Sequence, residues 1–285
     1  MERATLAKPL PLAAAMLAAV GMALVWWAFV WEPDALVVVQ QELRLPGWRG
    51  PSLRVAVLTD LHVGAPHIDA AKVQALVDAT NGQQPELILI AGDFVIDGVQ
   101  GGTFIPPEDF APILGQLRAP LGVFAVLGNH DWWFDGDRVT RALEDVAIVV
   151  LEDEAVKIQH QAGGFWLAGL GDWMTRPHDV DKTVAAITDD APALLFTHSP
   201  DAFPSIPRRF ALTIAGHTHG GQVNLPVLGR LVVPSEYGAR YAAGHIEEQG
   251  KHLYVSTGVG TSILPVRFRV PPEVAILELR TDADR

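Results

Sequence analysis

Five apolar segments of the chain are each followed at once by residues that bind metals or transfer protons. The residues that follow them are Asp60 and His62, Asp93, Asn129 and His130, His198, and His217 and His219. The segments themselves lie at 53–59, 86–91, 121–127, 192–197 and 211–215. Their continuous rather than alternating hydrophobicity predicts strands that are buried on both faces. Ligands of parallel sheets bind beyond the carboxyl ends of the strands, so we expect these side chains to meet there.

The residue types and their spacing favour a metal centre. In Asp60-Leu61-His62 and in His217-Thr218-His219, alternate residues of an extended segment place two side chains on one face. Imidazole and carboxylate ligands suit Zn, Fe or Mn. A lone histidine at a strand end is more often just hydrogen bonded, so the prediction depends on the coincidence of all five groups. This many ligands exceed the needs of one ion, whereas two ions about 3.5–4 Å apart are a recurrent device of phosphoryl chemistry.

Composition excludes several other kinds of protein. The 285 residues include no cysteine, which excludes disulfides, thiolate zinc sites, iron–sulfur clusters and a cysteine nucleophile. The formal net charge of −12 disfavours a nucleic-acid partner, because a net anion repels phosphates unless its basic residues are segregated on one face. With 49% hydrophobic residues the chain is too apolar to be disordered.

The N-terminal segment is apolar enough to cross a membrane. No charged residue occurs from Pro9 to Trp31, and Trp26, Trp27 and Trp31 gather at one end of this run. About 20 apolar residues cross the hydrocarbon core of a bilayer, and tryptophans favour its interface. A cleaved signal peptide would have a shorter apolar region and a small-residue cleavage site. We therefore expect a retained single-pass anchor over 1–31, with a buried core helix as the alternative.

The orientation of this anchor is less strongly encoded. Arg3 and Lys8 precede the apolar run, whereas Glu32 and Asp34 follow it. This asymmetry favours a cytoplasmic N-terminus and a catalytic domain outside the cytoplasm. Arg44 and Arg49 weaken that bias, so the side of the membrane stays open.

Strands and helices alternate through the rest of the chain, which is typical of a layered α/β domain. Besides the five strands above, 165–170 has the composition of a buried strand, and helical spacing occurs at 69–80, 107–118 and 136–146. The C-terminal part is strand-rich, with short runs at 223–227, 231–233, 252–257 and 273–279. Proline and glycine break up residues 32–52, which we interpret as a connector to one catalytic domain over 53–285.

At these residues the sequence resembles the calcineurin-like metallophosphoesterase superfamily. The family pattern is D-x-H, G-D, G-N-H-[D/E], a separate His and G-H-x-H, and every ligand position of it is present here in the same order. The segment Gly216–Gln222 resembles the bacterial membrane-associated branch, which includes envelope phosphodiesterases and enzymes that hydrolyse UDP-2,3-diacylglucosamine. The resemblance implies a four-layer αββα sandwich of two mixed β-sheets, preceded here by the N-terminal transmembrane helix.

The resemblance also implies a role for each site residue. The first of two divalent ions (Mn, Fe or Zn) would be held by Asp60, His62 and His219. The second would be held by Asn129, His198 and His217, and Asp93 would bridge both. A hydroxide between the ions would attack phosphorus. His130 would face the substrate, and Asp131 would either orient that imidazole or cap the turn.

Three further residues are weaker candidates for substrate contacts. Arg267 could meet a phosphate oxygen, with an exposed ion pair as the alternative. Trp132 and Trp133 directly follow His130. They could contact an acyl chain or the membrane, or pack within the fold.

The predicted function is hydrolysis of a phosphodiester or pyrophosphate bond at the bacterial cytoplasmic membrane, in a lipid-linked or envelope substrate. The first named candidate is UDP-2,3-diacylglucosamine, a precursor of lipid A. A phosphomonoesterase, including a protein phosphatase, is the alternative on the same site, because loops and caps set specificity. A metal-binding scaffold without activity is disfavoured, since such proteins typically lose ligands.

Overall fold

Two six-stranded mixed β-sheets form the centre of the fold. The structure is a computed structural model and describes residues 10–96, 98–176 and 178–281. Its strands are β1 Val37–Arg44, β2 Leu53–Leu58, β3 Leu87–Ala91, β4 Val123–Val126, β5 Val149–Val150, β6 Glu154–Ile158, β7 Phe165–Leu170, β8 Ala193–Thr197, β9 Leu212–Ala215, β10 Asn224–Leu225, β11 Gly229–Arg230, β12 Gly244–Glu248, β13 Lys251–Val255 and β14 Glu273–Arg280.

Each sheet has a parallel centre and an antiparallel pairing near its edge. The first has the order β1-β14-β2-β3-β4-β5, with β2 to β5 parallel and β14 antiparallel to β2. The second has the order β12-β13-β9-β8-β7-β6, with β13, β9, β8 and β7 parallel. The strands β10 and β11 form a separate hairpin. The parallel strands of both sheets therefore bring their carboxyl ends to one region.

The described helices either cover the outer faces of the two sheets or, like the first two, precede the domain. They are α1 Leu10–Trp26, α2 Glu32–Asp34, α3 Ala70–Gly82, α4 Pro107–Leu114, α5 Asn129–Phe134, α6 Gly136–Glu144 and α7 Val180–Ala185. Helix α3 begins at Asp69, whose side chain accepts a hydrogen bond from the backbone N–H of Lys72, as predicted for an N-cap.

Three hydrophobic layers hold these elements together. Alternate residues of β2 separate by face, since Val55 and Val57 pack between the sheets while Ala56 and Leu58 pack under the helices. Leu194 of β8 likewise faces the first sheet, and its neighbour Leu195 packs on the outer side. This is the predicted four-layer αββα sandwich, and the predicted fold class is confirmed.

The six strands predicted as buried apolar runs are present, with bounds shifted by two residues or fewer at most ends. The interpretation of 32–52 as a simple connector is wrong, because β1 lies within it and pairs in parallel with β14. Every second residue of β1 from Val38 to Arg44 is exposed, so the segment lacks the continuous hydrophobicity of a buried strand. The folded domain thus begins before the predicted boundary at residue 53.

The C-terminal prediction is right for β13 and β14 but misplaces the hairpin. Residues 231–233 form no strand, and the second strand of the hairpin is Gly229–Arg230 instead. The edge strands β6 and β12 were not predicted, because their sequences EAVKI and GHIEE carry charged residues on the exposed face.

A long apolar helix precedes the domain. Helix α1 continues through a π-helical turn, Trp27–Trp31, into α2. Among the described residues, Leu12–Asp34 is long and apolar enough to cross a membrane, with a mean hydropathy of 2.1. Its most apolar stretch is 6% buried, which excludes the alternative of a buried core helix. Residues 1–9 of the predicted anchor lie outside the described residues, together with the charges of Arg3 and Lys8.

Candidate metal centre

The carboxyl ends of five strands from both sheets converge on one site. In the first sheet, β2 is followed by Asp60 and His62, β3 by Asp93, and β4 by helix α5 with Asn129 and His130. In the second sheet, β8 is followed by His198, and β9 by His217 and His219. All eight side chains belong to residues that are at most 9% exposed. The site therefore lies where the two sheets meet, and the side chains that the sequence analysis expected beyond the carboxyl ends of the strands are found there.

The backbone is strained where it carries these side chains. Asp60, His62, Asp93, His217 and His219 have φ angles of 53°, 45°, 57°, 69° and 49°. This left-handed region is uncommon for residues other than glycine and costs on the order of 1–3 kcal/mol per residue. Such strain tends to cluster at functional sites, and its concentration here indicates a geometry maintained for ligand binding.

One group of potential ligands consists of Asp60, His62 and His219, whose ligand atoms lie within 4.8 Å of one another. Nε2 of His62 is 3.2 Å from Nε2 of His219, which in turn is 3.4 Å from Oδ1 of Asp60. Hydrogen bonds also fix Asp60, because the Thr59 hydroxyl donates to its Oδ2 at 2.5 Å and the backbone N–H of His217 donates to both oxygens.

A second group consists of Asp93, His198 and His217, again with ligand atoms within 4.8 Å. Nε2 of His198 lies 3.1 Å from Nδ1 of His217 and 3.1 Å from Oδ1 of Asn129. Asn129 thereby adds an amide oxygen to this group. The predicted ligand sets for two ions are thus each brought together.

Asp93 lies between the two groups. Its Oδ2 is 3.5 Å from Nε2 of His62 and 3.2 Å from Nε2 of His198. Its Oδ1 accepts the backbone N–H of His130 at 3.0 Å, which fixes the carboxylate plane. This position is the one that a bridging carboxylate requires.

Backbone carbonyls orient two of the imidazoles. Nδ1 of His62 donates to the carbonyl of Val95 at 3.3 Å, and Nδ1 of His198 donates to that of Ala91 at 2.8 Å. Because Nδ1 of each ring is bound to a carbonyl, Nε2 is the ring nitrogen that faces the cluster. Such hydrogen bonds are typical of metal-binding histidines, where they set the tautomer and the ring orientation.

The protonation states of the potential ligands favour the binding of cations. Burial lowers the pKa of His62 and of His217 to about 3 each, and it lowers the pKa of His219 well below its usual range. These imidazoles are therefore neutral at pH 7, the form that binds metal. Nitrogen and carboxylate oxygen atoms of these side chains lie 3.1–3.5 Å from one another. Although burial opposes it, the negative charge of Asp93 raises the pKa of His198, so the cluster attracts positive charge.

His130 stands at the open side of the cluster. Its Nε2 is 4.0 Å from Oδ2 of Asp93, and its ring packs edge-on against His62 at 4.7 Å and Trp133 at 5.0 Å between centroids. Its Nδ1 has no hydrogen-bond partner in the described part of the chain. The side chain is thus placed to meet a ligand in the cleft above the cluster.

Asp131 caps the loops that carry the ligands. Its Oδ1 accepts the N–H groups of Phe94 and Val95, and its Oδ2 accepts those of Asp93 and Gly128. Burial and the nearby charge of Asp93 raise the pKa of Asp131 to about 7, although the four donors directed at this carboxyl group oppose that rise. Of the two roles predicted for Asp131, these contacts support the cap, because within the described residues its hydrogen bonds go to backbone N–H groups rather than to the His130 imidazole.

The two tryptophans after His130 occupy different environments. Trp132 packs against the helix-side core, and the guanidinium of Arg176 stacks on its ring at 4.3 Å. Trp133 is 55% exposed and lines the cleft beside His130. Only Trp133 is therefore available for the predicted contact with a substrate, whereas Trp132 follows the alternative of packing within the fold.

Arg267 requires a correction. Its side chain is fully buried, and its guanidinium donates to the backbone carbonyls of Thr257, Gly258, Gly260 and Val270 at 2.6–3.1 Å. The predicted contact with a phosphate oxygen needs an accessible guanidinium, and so does the alternative of an exposed ion pair. Arg267 instead holds together the loop that lies behind Asp60 and His62.

A cleft of about 780 Å³ opens above the cluster. The sequence analysis missed several residues of this cleft, among them Trp173, Met174 and Ile263. They lie in loops whose composition carries no motif, so only the fold brings them to the site. The cleft combines the polar metal centre with an apolar wall.

Close packing between loops makes Gly128 necessary, and we expect Gly128→Ala to lower metal content and turnover together. A Cβ at this position would lie 2.1 Å from Oδ1 of Asp93, so the Asp93 carboxylate would have to move. A displacement of about 1 Å costs on the order of 10²-fold in rate. Gly82→Ala is the matched control, since its Cβ meets nothing within 4 Å. Equal metal content and turnover in the two variants would contradict this packing argument.

Comparisons with known proteins agree with this geometry. A family model described as calcineurin-like phosphoesterase matches residues 53–221. The metallophosphoesterase YkuE of Bacillus subtilis (strain 168) is 29% identical over 231 residues, covering 80% of this chain and 79% of that protein. The phosphodiesterase YaeI of Escherichia coli (strain K12) is 28% identical over 253 residues, covering 87% and 90%.

A bovine relative, named as a transmembrane protein with a metallophosphoesterase domain, is 28% identical over 272 residues. The match covers 87% of this chain and 58% of the bovine protein. The family model spans more than half of the chain and includes all five strand ends that form the site. The chain therefore belongs to the calcineurin-like phosphoesterase family and is a phosphoester hydrolase.

Proposed function

We propose that this hydrolase is a phosphodiesterase with two divalent metal ions that acts on a lipid-linked substrate at a membrane. The observation that carries the proposal is the position of Asp93 between two groups of ligands, within 3.5 Å of an imidazole of each. A single ion would leave one of these groups of buried lone pairs uncompensated. Two ions sharing one carboxylate compensate both.

Each predicted ligand then has a place. The first ion would be held by Asp60, His62 and His219, the second by Asn129, His198 and His217, and both by Asp93. Such ions, when bound, supply a nucleophile from water at neutral pH and neutralise the oxygens of the phosphoryl group. Mn, Fe and Zn all accept this mixture of nitrogen and oxygen ligands.

The protein itself supplies orientation and a proton. His130 is the histidine of the site that faces the cleft and is left without a partner on Nδ1. We assign it the transfer of a proton from its imidazole to the oxygen of the leaving group. The backbone N–H of His130 also holds Asp93, so the same residue links the cleft to the carboxylate between the two ligand groups.

We expect His130→Ala to keep both ions but to lose about 10²–10⁴ in turnover, the range typical of general acid catalysis. Turnover of bis-p-nitrophenyl phosphate and metal content per chain are measured on the same sample. His160→Ala serves as the control, because His160 is distant in the fold, at the turn that follows β6. Full turnover of His130→Ala with both ions bound would refute the proton-transfer role.

A preference for diesters is supported by the relative YaeI, which is named as a phosphodiesterase and matched over 90% of its length. The test compares initial rates on bis-p-nitrophenyl phosphate and p-nitrophenyl phosphate with the Mn²⁺-loaded protein. We expect the higher kcat/KM on the diester. A higher value on the monoester would favour the phosphomonoesterase alternative.

A lipid-linked substrate is supported by the apolar wall of the cleft and by the long N-terminal helix. Trp133, Met174 and Ile263 are 55%, 55% and 72% exposed in the cleft lining, next to the polar cluster. An amphiphilic phosphoester would satisfy both parts of the cleft. UDP-2,3-diacylglucosamine is the first candidate, and release of UMP from it by the full-length protein in detergent with Mn²⁺ is the assay.

We also propose that Leu12–Asp34 anchors the chain in the bacterial cytoplasmic membrane as a single span, with the catalytic unit beginning at β1. The transmembrane name of the bovine relative supports this anchoring. Charge asymmetry around the helix favours a domain outside the cytoplasm, whereas a UDP-linked lipid is made inside. Release of UMP would assign the domain to the cytoplasmic side. Turnover of the generic diester alone would point to another envelope substrate and to the outer side.

A further inference from the structure

The surface around the β10–β11 hairpin is unusually apolar for a protein in water. Val227, Leu228, Leu231 and Val232 of this hairpin are 106%, 65%, 66% and 76% exposed, and Ile263 and Leu264 of a neighbouring loop are 72% and 44% exposed. We call these six residues the hairpin patch. Single exposed apolar residues are common, but a contiguous group marks a protein or membrane contact.

The hairpin and the loop enclose an apolar groove of about 420 Å³. Its lining includes Leu225, Leu231, Val232, Leu264 and Val266, so members of the patch from both segments meet in one cavity wall. Leu231, Val232, Ile263 and Leu264 of the patch therefore share one groove, and Val227 and Leu228 belong to the turn of the same hairpin.

Two exposed members of the patch have a strained backbone conformation. Val227 and Ile263 have φ angles of 69° and 63°, a region that is rare for β-branched residues. Glycine or asparagine would serve a turn there with less strain. The presence of large apolar side chains at these strained, exposed positions indicates that the side chains themselves are needed.

The patch is tied directly to the end of the apolar helix. Val223, at the start of the hairpin, forms a bridge with Phe268, and the Phe268 ring packs on Trp27 with 6.0 Å between centroids. The backbone N–H of Arg267 donates to the carbonyl of Ala28 at 2.9 Å. Segment 267–270 thus carries the helix end on one side and the hairpin on the other.

The charges near the patch also suit a lipid surface. Arg230 is the one charged residue in the hairpin sequence 223–233, and its guanidinium donates inward to the carbonyl of Gly220. Arg269 is exposed on the segment between the hairpin and the helix. Apolar side chains bordered by an exposed cation are typical of surfaces that bind the interface of anionic membranes.

We propose that the hairpin patch inserts into the interface of the bilayer that the N-terminal helix crosses, and so docks the catalytic domain on the membrane. Ile263 lines both the apolar groove and the metal cleft, which places the cleft at the lipid surface. A phosphoester could then be hydrolysed while its acyl chains remain in the bilayer. This inference rests on the anchoring proposed above but is independent of the hydrolytic activity.

The absence of cysteine from the sequence allows a direct test with single labels. Leu228→Cys and, separately, Val232→Cys are introduced into the full-length protein, labelled with the fluorophore NBD and reconstituted into vesicles of phosphatidylcholine and phosphatidylglycerol. Ala162→Cys is the matched control, since Ala162 is exposed in the turn between β6 and β7, at the opposite end of the sheet from the site. We expect a blue shift and quenching by brominated acyl chains at positions 228 and 232, and neither effect at 162.

Two outcomes would overturn the docking. Emission at 228 and 232 equal to that at 162, with the helix inserted, would mean that the patch faces water. A blue shift that brominated lipid does not quench, and that grows with the protein-to-lipid ratio, would mean that a second copy covers the patch. Turnover of bis-p-nitrophenyl phosphate in the same vesicles distinguishes the two proposals. If turnover is absent while brominated lipid still quenches the labels at 228 and 232, only the proposed hydrolysis is refuted. If turnover is present without this quenching, only the proposed docking is refuted.

Discussion

Replacing Asp93 by Asn is expected to lower turnover of bis-p-nitrophenyl phosphate by about 10²–10³-fold, the size of effect typical of losing a central electrostatic contact in a catalytic site. The amide keeps the shape of the side chain but loses the negative charge that faces His62 and His198. Burial alone would raise the pKa of Asp93. The interactions with His198 and His62 outweigh this and hold that pKa well below its usual range, so the native group is a carboxylate at neutral pH.

The same variant is expected to bind fewer metal ions than the native chain, because one substitution weakens both ligand groups. Asp189→Asn is the matched control, since it removes an exposed carboxylate paired with Lys157 and lies outside the site. Metal content and turnover are measured together after gel filtration. An Asp93→Asn protein that retains two ions and the turnover of the control would contradict the bridging role.

The second large effect concerns stability. Arg267→Met is expected to lower the free energy of unfolding by about 3–5 kcal/mol, because it leaves several buried carbonyls without a donor. Burial lowers the pKa of Arg267 to about 10, so the native guanidinium is still charged at neutral pH. Its donors hold the loop from Thr257 to Gly260, and a Cβ on Gly258 or Gly260 would lie within 2.8 Å of atoms of Asp60 or its neighbours.

Arg269→Met is the control for this effect, since Arg269 is exposed and adjacent. Surface substitutions of this kind usually change stability by less than about 0.5 kcal/mol. Urea denaturation of the full-length proteins in detergent, followed by tryptophan fluorescence, gives the comparison. If Arg267→Met instead unfolded at the same urea concentration as the control and showed only a raised KM, Arg267 would be a substrate ligand after all.

The sequence was informative wherever local composition and chemistry coincide. Parallel strands buried on both faces are continuous apolar runs, so β2, β3, β4, β8 and β9 could be predicted together with the residues that follow them. The fold then brings those residues together because parallel strands share one carboxyl edge. No long-range information was needed for this part of the site.

Other features depend on contacts that no local pattern encodes. Strand β1 is defined by its pairing with β14 some 230 residues later, and its exposed face resembles a connector. The burial of Arg267 depends on carbonyls of a loop that closes over it. Asp131 likewise binds backbone groups of Asp93, Phe94 and Val95, which only the paired β3 and β4 bring within reach.

The end of the apolar helix illustrates the same distinction. The length and composition of this helix are evident from the sequence, whereas the burial of Glu32 is not. Glu32 is 2% exposed, and its carboxylate accepts hydrogen bonds from the Trp27 indole and from the backbone N–H of Val270. These contacts fix the helix end on the segment that also carries the hairpin, which is why the anchor and the cleft have a defined relation.

The central claim is that two metal ions, sharing Asp93, are needed for hydrolysis. The most direct measurement is turnover of bis-p-nitrophenyl phosphate while Mn²⁺ is titrated into metal-free full-length protein at a concentration far above its dissociation constants. The account predicts that turnover rises until two equivalents per chain are bound and then levels off. A plateau at one equivalent, or turnover that persists in the metal-free protein, would contradict it.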